Sequence, residues 1–151
     1  MNTSMPSANR TVPASAAWLG GLGAIPFVSL AAGPWFLPEH AVLLLFALKT
    51  YGAVILSFLG GVHWGLAMAR SPDAPGWGDL TLSVAPSLVA WPALLLPGRV
   101  GFIVLAAGVF AMLIVDLQLT RRGLAPAWYP GIRTPLSLVV TACLILGSVA
   151  S

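Results

Sequence analysis

Residues 49–70 read KTYGAVILSFLGGVHWGLAMAR, and the fold follows from how this stretch is read. It is an unbroken apolar run with one ionisable side chain toward each end, Lys49 and His63. Gly, Ala, Val and Leu dominate, and Pro, Asn and Asp are missing, so nothing inside it stops a helix. Ala53, Ser57, Gly61, Gly65 and Ala69 recur at every fourth position, a spacing that predicts a ridge of small side chains along one helix face. In lipid such a ridge lets another backbone approach closely, and that contact holds membrane helices together. The reading therefore places this helix at the centre of a bundle, packed through its small residues.

Composition sets the solvent. Charged residues make up 7% of the 151-residue chain and apolar ones 58%, with a mean hydropathy of +0.94. A soluble domain carries about a quarter charged residues, so the main solvent of this chain is a lipid bilayer. The length allows one domain. A net charge of +3 is no nucleic-acid signal, because the arginines are scattered over connecting segments rather than gathered on a face. A single cysteine, Cys143, excludes an internal disulfide and a cysteine-based metal site.

Outward from the central stretch, apolar runs define the remaining elements. Residues 1–15 are polar and Ser/Pro-containing and read as a disordered tail before a single domain, 16–151. A first span covers 16–37, about 33 Å as a helix and long enough to cross. Its Ala16, Gly20 and Ala24 repeat the four-residue spacing and make it the expected close partner of the central helix. A cleaved signal peptide is the rival reading, which Pro26 and the long tail oppose. The second span runs over 41–69, too long for ~30 Å of hydrocarbon unless it tilts or protrudes. Spans three (79–96, with Pro86 and Pro92), four (100–119) and five (135–150) follow, and 120–134 reads as a basic, aromatic loop carrying Trp128 and Tyr129 at the membrane interface. The expectation is an all-α bundle of five transmembrane helices. Arg10, Arg70, Arg121, Arg122 and Arg133 fall on one side and Arg99 on the other, which puts the N-terminus in the cytoplasm.

Polar residues inside the spans carry whatever chemistry there is. His63 lies roughly 9 Å inside the basic end of its helix, where a polar group needs a partner. Asp116 closes the fourth span on the same side; a carboxylate there opposes the helix dipole and calls for a cation. Pairing with Arg133 would tie the 120–134 segment to the bundle, and a His63–Asp116 dyad is the sharper version. Lys49 is about 12 Å from the opposite end and reads as a side chain snorkelling to the outer interface or as a buried functional amine. A metal centre lacks its cluster of ligands, and bis-histidine haem fails within one chain because His40 and His63 are ~35 Å apart along one helix. Ser57 has no base one turn away, so nucleophilic catalysis is not supported.

The run from Tyr51 to Gly65, with its Gly60-Gly61-Val62-His63-Trp64-Gly65 core, resembles the signature of the transmembrane protein 69-like family of small multi-pass membrane proteins. Asp116, then Pro126-Ala127-Trp128-Tyr129 and Arg133, resembles its second characteristic segment. The resemblance implies a multi-pass protein of the bacterial inner membrane, or the mitochondrial one in a eukaryote, with an uncleaved first helix and no catalytic residues to carry over. Three functional expectations stand beside it. The leading one is a non-catalytic partner or assembly component of a membrane complex, without a cofactor, contacting lipid and other subunits or copies of itself. The others are a small transporter or proton pathway through His63 and Asp116, and a quinone- or haem-binding subunit using His63 and Trp64.

Overall fold

The computed structural model describes residues 11–71 and 73–151, and within them five long helices account for nearly everything. They are α1 (Ala14–Phe36), α2 (Ala41–Arg70), α3 (Trp77–Leu95), α4 (Gly98–Arg121) and α5 (Tyr129–Ala150), with one 3₁₀ turn, Pro38–His40, leading into α2. All five are long and apolar enough to cross a membrane. The tail expected over 1–15 falls largely on residues 1–10, which lie outside the described residues, while Ala14 and Ser15 already belong to α1.

Neighbours in sequence are neighbours in space, and α5 returns to pack on α1. α2 is the one helix that packs against all four others. The interior is a contiguous apolar cluster including Phe27, Leu48, Leu56, Leu105, Val109 and Leu144. The outer surface carries Trp18, Phe46, Phe58, Trp91 and Val149 in the open, as expected of side chains that face hydrocarbon rather than water.

The ridge on α2 does not pack as its spacing predicts. Ala53 is buried and Ser57 half-buried, but Gly61, Gly65 and Ala69 are exposed. Helix geometry gives the reason. At 3.6 residues per turn each four-residue step overshoots a full turn by about 40°, so a row of five such positions winds roughly 160° around the helix. The face that stays inward alternates steps of three and four: Lys49, Gly52, Leu56, Leu59 with Gly60, His63 and Ala67. Close approach is made by a different glycine. A methyl group on Gly60 would collide with the backbone oxygen of Ser83 on α3, whereas at Gly61 it would meet nothing within 4 Å.

The small row of α1 is also redirected. Gly20 faces Ile132 and Leu136 of α5, not α2. Contact between α1 and α2 is made instead by Leu44 against Gly33, by the Tyr51 hydroxyl donating to the Gly23 carbonyl at 3.0 Å, and by the rings of Phe27 and Tyr51 at 4.7 Å.

At the far end of the chain the expected 120–134 loop is shorter. α4 stops at a glycine with φ +71°, Gly123, and the Leu124 and Gly123 amides donate to the Leu119 and Thr120 carbonyls at 2.9 and 3.0 Å. This cap satisfies the last carbonyls and reverses the chain within a few residues. α5 then begins at Tyr129, with Pro130 in the first turn, where a missing N–H costs nothing, and it runs on through Pro135. Tyr129 and Arg133 are therefore helical. Placing Arg133 one turn into α5 gives its side chain a fixed direction, which the site requires.

The adjacent glycines on α2 provide a direct test. Gly60→Ala should destabilise the protein by about 1–3 kcal/mol by overpacking against α3, while Gly61→Ala should leave the melting temperature in detergent unchanged or slightly raised. Equal melting temperatures for the two variants would place the α2–α3 contact elsewhere.

Candidate functional site

Four side chains from three helices meet inside the basic end of the bundle. Asp116, on α4, is 1% exposed, and both of its carboxylate oxygens are occupied. Oδ1 lies 2.8 Å from His63 Nε2 on α2, and Oδ2 accepts from Arg133 Nε on α5. Arg133 Nη1 donates onward to Ser137 Oγ, one turn along α5. Thr120 Oγ1 donates to the Asp116 backbone oxygen at 3.0 Å, closing the α4 side. An ionised carboxylate can only accept, which assigns the proton of the shared bond to His63 Nε2. The guanidinium balances the carboxylate, so a neutral imidazole leaves the cluster without net charge.

This arrangement gathers the two alternatives that the sequence offered for Asp116 into one network. Its logic is local first. Asp116 and Thr120 share a face of α4, and Arg133 and Ser137 share a face of α5, each pair spaced by four residues. The tertiary step brings those two faces onto His63. His63, Asp116, Arg133 and Ser137 are all buried, so their polar atoms depend on one another rather than on water.

Lys49 takes no part in this network. It is 14 residues before His63 on the same helix, about 21 Å along the axis. Its side chain is buried, and its ammonium donates to the carbonyl oxygens of Leu94 and Leu96 at the end of α3. Those carbonyls lack helical partners, and a cation there also complements the helix dipole. Gly101 of α4 makes room, since a methyl group there would strike the Lys49 side chain and the Ala93 carbonyl. Trp64 is 42% exposed. Its neighbour His63 points into the bundle, as consecutive helical residues diverge by about 100°. Trp128 and Tyr129 stand edge to face at 6.0 Å where α5 begins.

Two features escaped the sequence reading. Arg70 and Asp79 pair at 2.9 Å across the short connection from α2 to α3. Both are loop-edge charges, and only the proximity of the helix ends makes them partners. The second is Ser137, an ordinary residue until α5 is extended back to Tyr129. Among the described residues no three His, Cys, Asp or Glu side chains converge on a metal-binding geometry.

A hydrophobic bundle of five spans, clamped inside by a buried charge pair and a histidine, defines a multi-pass integral membrane protein. Residues 12–149 match the family described as protein of unknown function (DUF3429), and the chain belongs to that family. It is similar to Transmembrane protein 69 of Xenopus tropicalis, 38% identical over 143 residues that cover 90% of this chain and 54% of the relative. With Transmembrane protein 69 of Mus musculus it shares 30% identity over 130 residues, 84% of this chain and 52% of the relative. The chain thus spans about half the length of these curated relatives. No solved structure matches it.

The clamp can be weighed by removing one member or two. Asp116→Leu leaves a buried guanidinium without its counter-charge and should cost about 3–5 kcal/mol. Asp116→Leu combined with Arg133→Met removes both charges and should regain part of that loss. Thermal unfolding in detergent separates these outcomes; a double variant less stable than either single one would mean that the pair is not coupled as described.

Proposed function

We propose that the protein is a non-catalytic component of a larger assembly in the bacterial inner membrane, or in its mitochondrial equivalent, with the basic end of the bundle in the cytoplasm or matrix. The observation that carries this reading is the outward row of α2. Among the described residues an added Cβ at Gly61 or Gly65 would meet nothing within 4 Å, and Ala69 continues the row in the open. Small residues gain little from contact with lipid chains but allow another helix to come close. The occupant can be a second copy of this chain or a helix of another subunit.

The state of the polar residues supports the same reading. A proton pathway needs polar groups that continue from one side of the bundle to the other. Here Asp116 is closed between His63 and Arg133, and Lys49 is about 21 Å away, held on the end of α3. Arg70, Arg121 and Arg122 at the ends of α2 and α4 support the orientation proposed.

Gly65→Leu is the corresponding test, because it enlarges the outward face and should leave the fold intact. In native membranes, stoichiometric partners or self-crosslinks should be present for the natural chain and lost, or reduced severalfold, in Gly65→Leu, with an unchanged melting temperature. Recovery of the natural chain as single copies free of any partner would overturn the assembly reading.

A further inference from the structure

A cavity of about 380 Å³ opens between α1, α2 and α5 beside the clamp, near the lower end of the roughly 300–1,000 Å³ of small-ligand sites. Its long walls are hydrocarbon: Leu19 and Phe27 from α1, Phe58 and Val62 from α2, Leu136 and Val140 from α5. Its polar lining is confined to the beginning of α5, where Trp128, Tyr129 and Arg133 border it. Arg133 is only 7% exposed. Its Nε and Nη1 are committed to Asp116 and Ser137, but its Nη2 meets no acceptor in hydrogen-bonding geometry among the described residues. The Tyr129 hydroxyl lies within electrostatic reach of Asp116 and Arg133 and is a further protein oxygen offered to the guanidinium at this end, but it does not meet Nη2 in hydrogen-bonding geometry. A buried guanidinium N–H without an acceptor is costly, and it borders an apolar slot with one polar end.

We propose that this cavity binds a lipid-soluble molecule whose uncharged carbonyl head accepts from Arg133 Nη2 while its hydrocarbon tail lies between α1, α2 and α5. The inference goes beyond the assembly reading and does not depend on it. Three arguments fix the class of ligand. A guanidinium only donates, so the head must accept. Asp116 already balances the charge of Arg133, so an added carboxylate would bring an uncompensated charge into a low-dielectric site, whereas a carbonyl would not. The polar end lies at the aromatic, basic end of α5, where the head of a membrane-dissolved amphiphile sits and from which its tail runs inward. Isoprenoid quinones and neutral acyl lipids share this chemistry, and the ring carbonyl is distinguished from the ester carbonyl by experiment.

The test uses the full chain purified in detergent and equilibrium binding of radiolabelled probes. These are a benzoquinone bearing one alkyl chain, a fatty-acid methyl ester, the free fatty acid, and an alkylbenzene without oxygen. Saturable, stoichiometric binding is expected for the quinone or the ester, the tighter of the two identifying the source, with the alkylbenzene about tenfold weaker or worse. Gly23→Leu places bulk on the cavity wall at a position where an added Cβ meets only the Tyr51 hydroxyl within 4 Å, at 3.9 Å, and it should weaken binding by about tenfold with the melting temperature preserved. Arg133→Lys keeps a cation for Asp116 but removes Nη2, and it should erase the preference for carbonyl probes over the alkylbenzene. Should that variant not fold, Gly23→Leu and the probe series decide alone. Non-saturable uptake that Gly23→Leu does not change would mean annular lipid only and overturn the proposal. Tighter binding of the fatty-acid anion than of its ester would overturn the assignment of an uncharged head.

Discussion

A carboxylate sealed inside an apolar bundle must have its charge answered on the spot, and Asp116 is such a carboxylate. Desolvating it costs several kcal/mol, which only a close cation and saturated hydrogen bonds can offset. Arg133 supplies the charge, His63 occupies the other oxygen, and Ser137 takes up part of the guanidinium. Because these groups come from α2, α4 and α5, the electrostatic requirement becomes a geometric one: three helices must hold one depth and one rotation. Apolar side chains alone specify neither in lipid, where helix faces gain nothing by being hidden from the solvent. The clamp therefore sets the relative register of the three helices that form the interior.

The same rule operates at the opposite end of the membrane in milder form. Lys49 is carried into the interior by its place on the inward face of α2, and the open carbonyls at the end of α3 receive it. α2 thus reaches α3 through a cation on a helix end at one level and through the bare backbone of Gly60 at another. Each buried charge is matched by a group that itself lacked a partner, so one contact resolves two polar deficits. The central position of α2, in contact with all four other helices, follows from these contacts.

The helix row that faces away from the bundle and the slot beside Arg133 are complementary consequences of this arrangement. Once the inward face of α2 is fixed by His63 and Lys49, Gly61 and Gly65 must point outward. Once Arg133 turns toward Asp116, α1 can close on α5 at Gly20 but leaves a gap where the guanidinium borders it. Both features are thus fixed by polar contacts and sit at the periphery, where lipid, another helix or a small amphiphile has access.

The one-dimensional pattern determined the class of protein. Long apolar runs, 7% charge and an arginine bias to one side require five membrane-crossing helices, because no other structure satisfies the backbone of such segments in hydrocarbon. His63, Asp116 and Arg133 were legible as candidates for the same reason: ionisable groups at that depth are expensive and need partners. Which partners they took was decided in three dimensions, since Asp116 could reach the histidine or the arginine and in fact holds both. The direction of the small residues on α2 was also beyond the pattern. A period of four drifts against a helical turn of 3.6, and only the packed bundle decides which arc of the drifting row lies inside. The start of α5 was misread because prolines at 130 and 135 look like loop signals, whereas Pro130 stands in the first helical turn and tertiary contacts carry the helix past Pro135. Sequence periodicity fixes what a helix can bury; the depth and rotation at which buried charges meet are set by the neighbours that answer them.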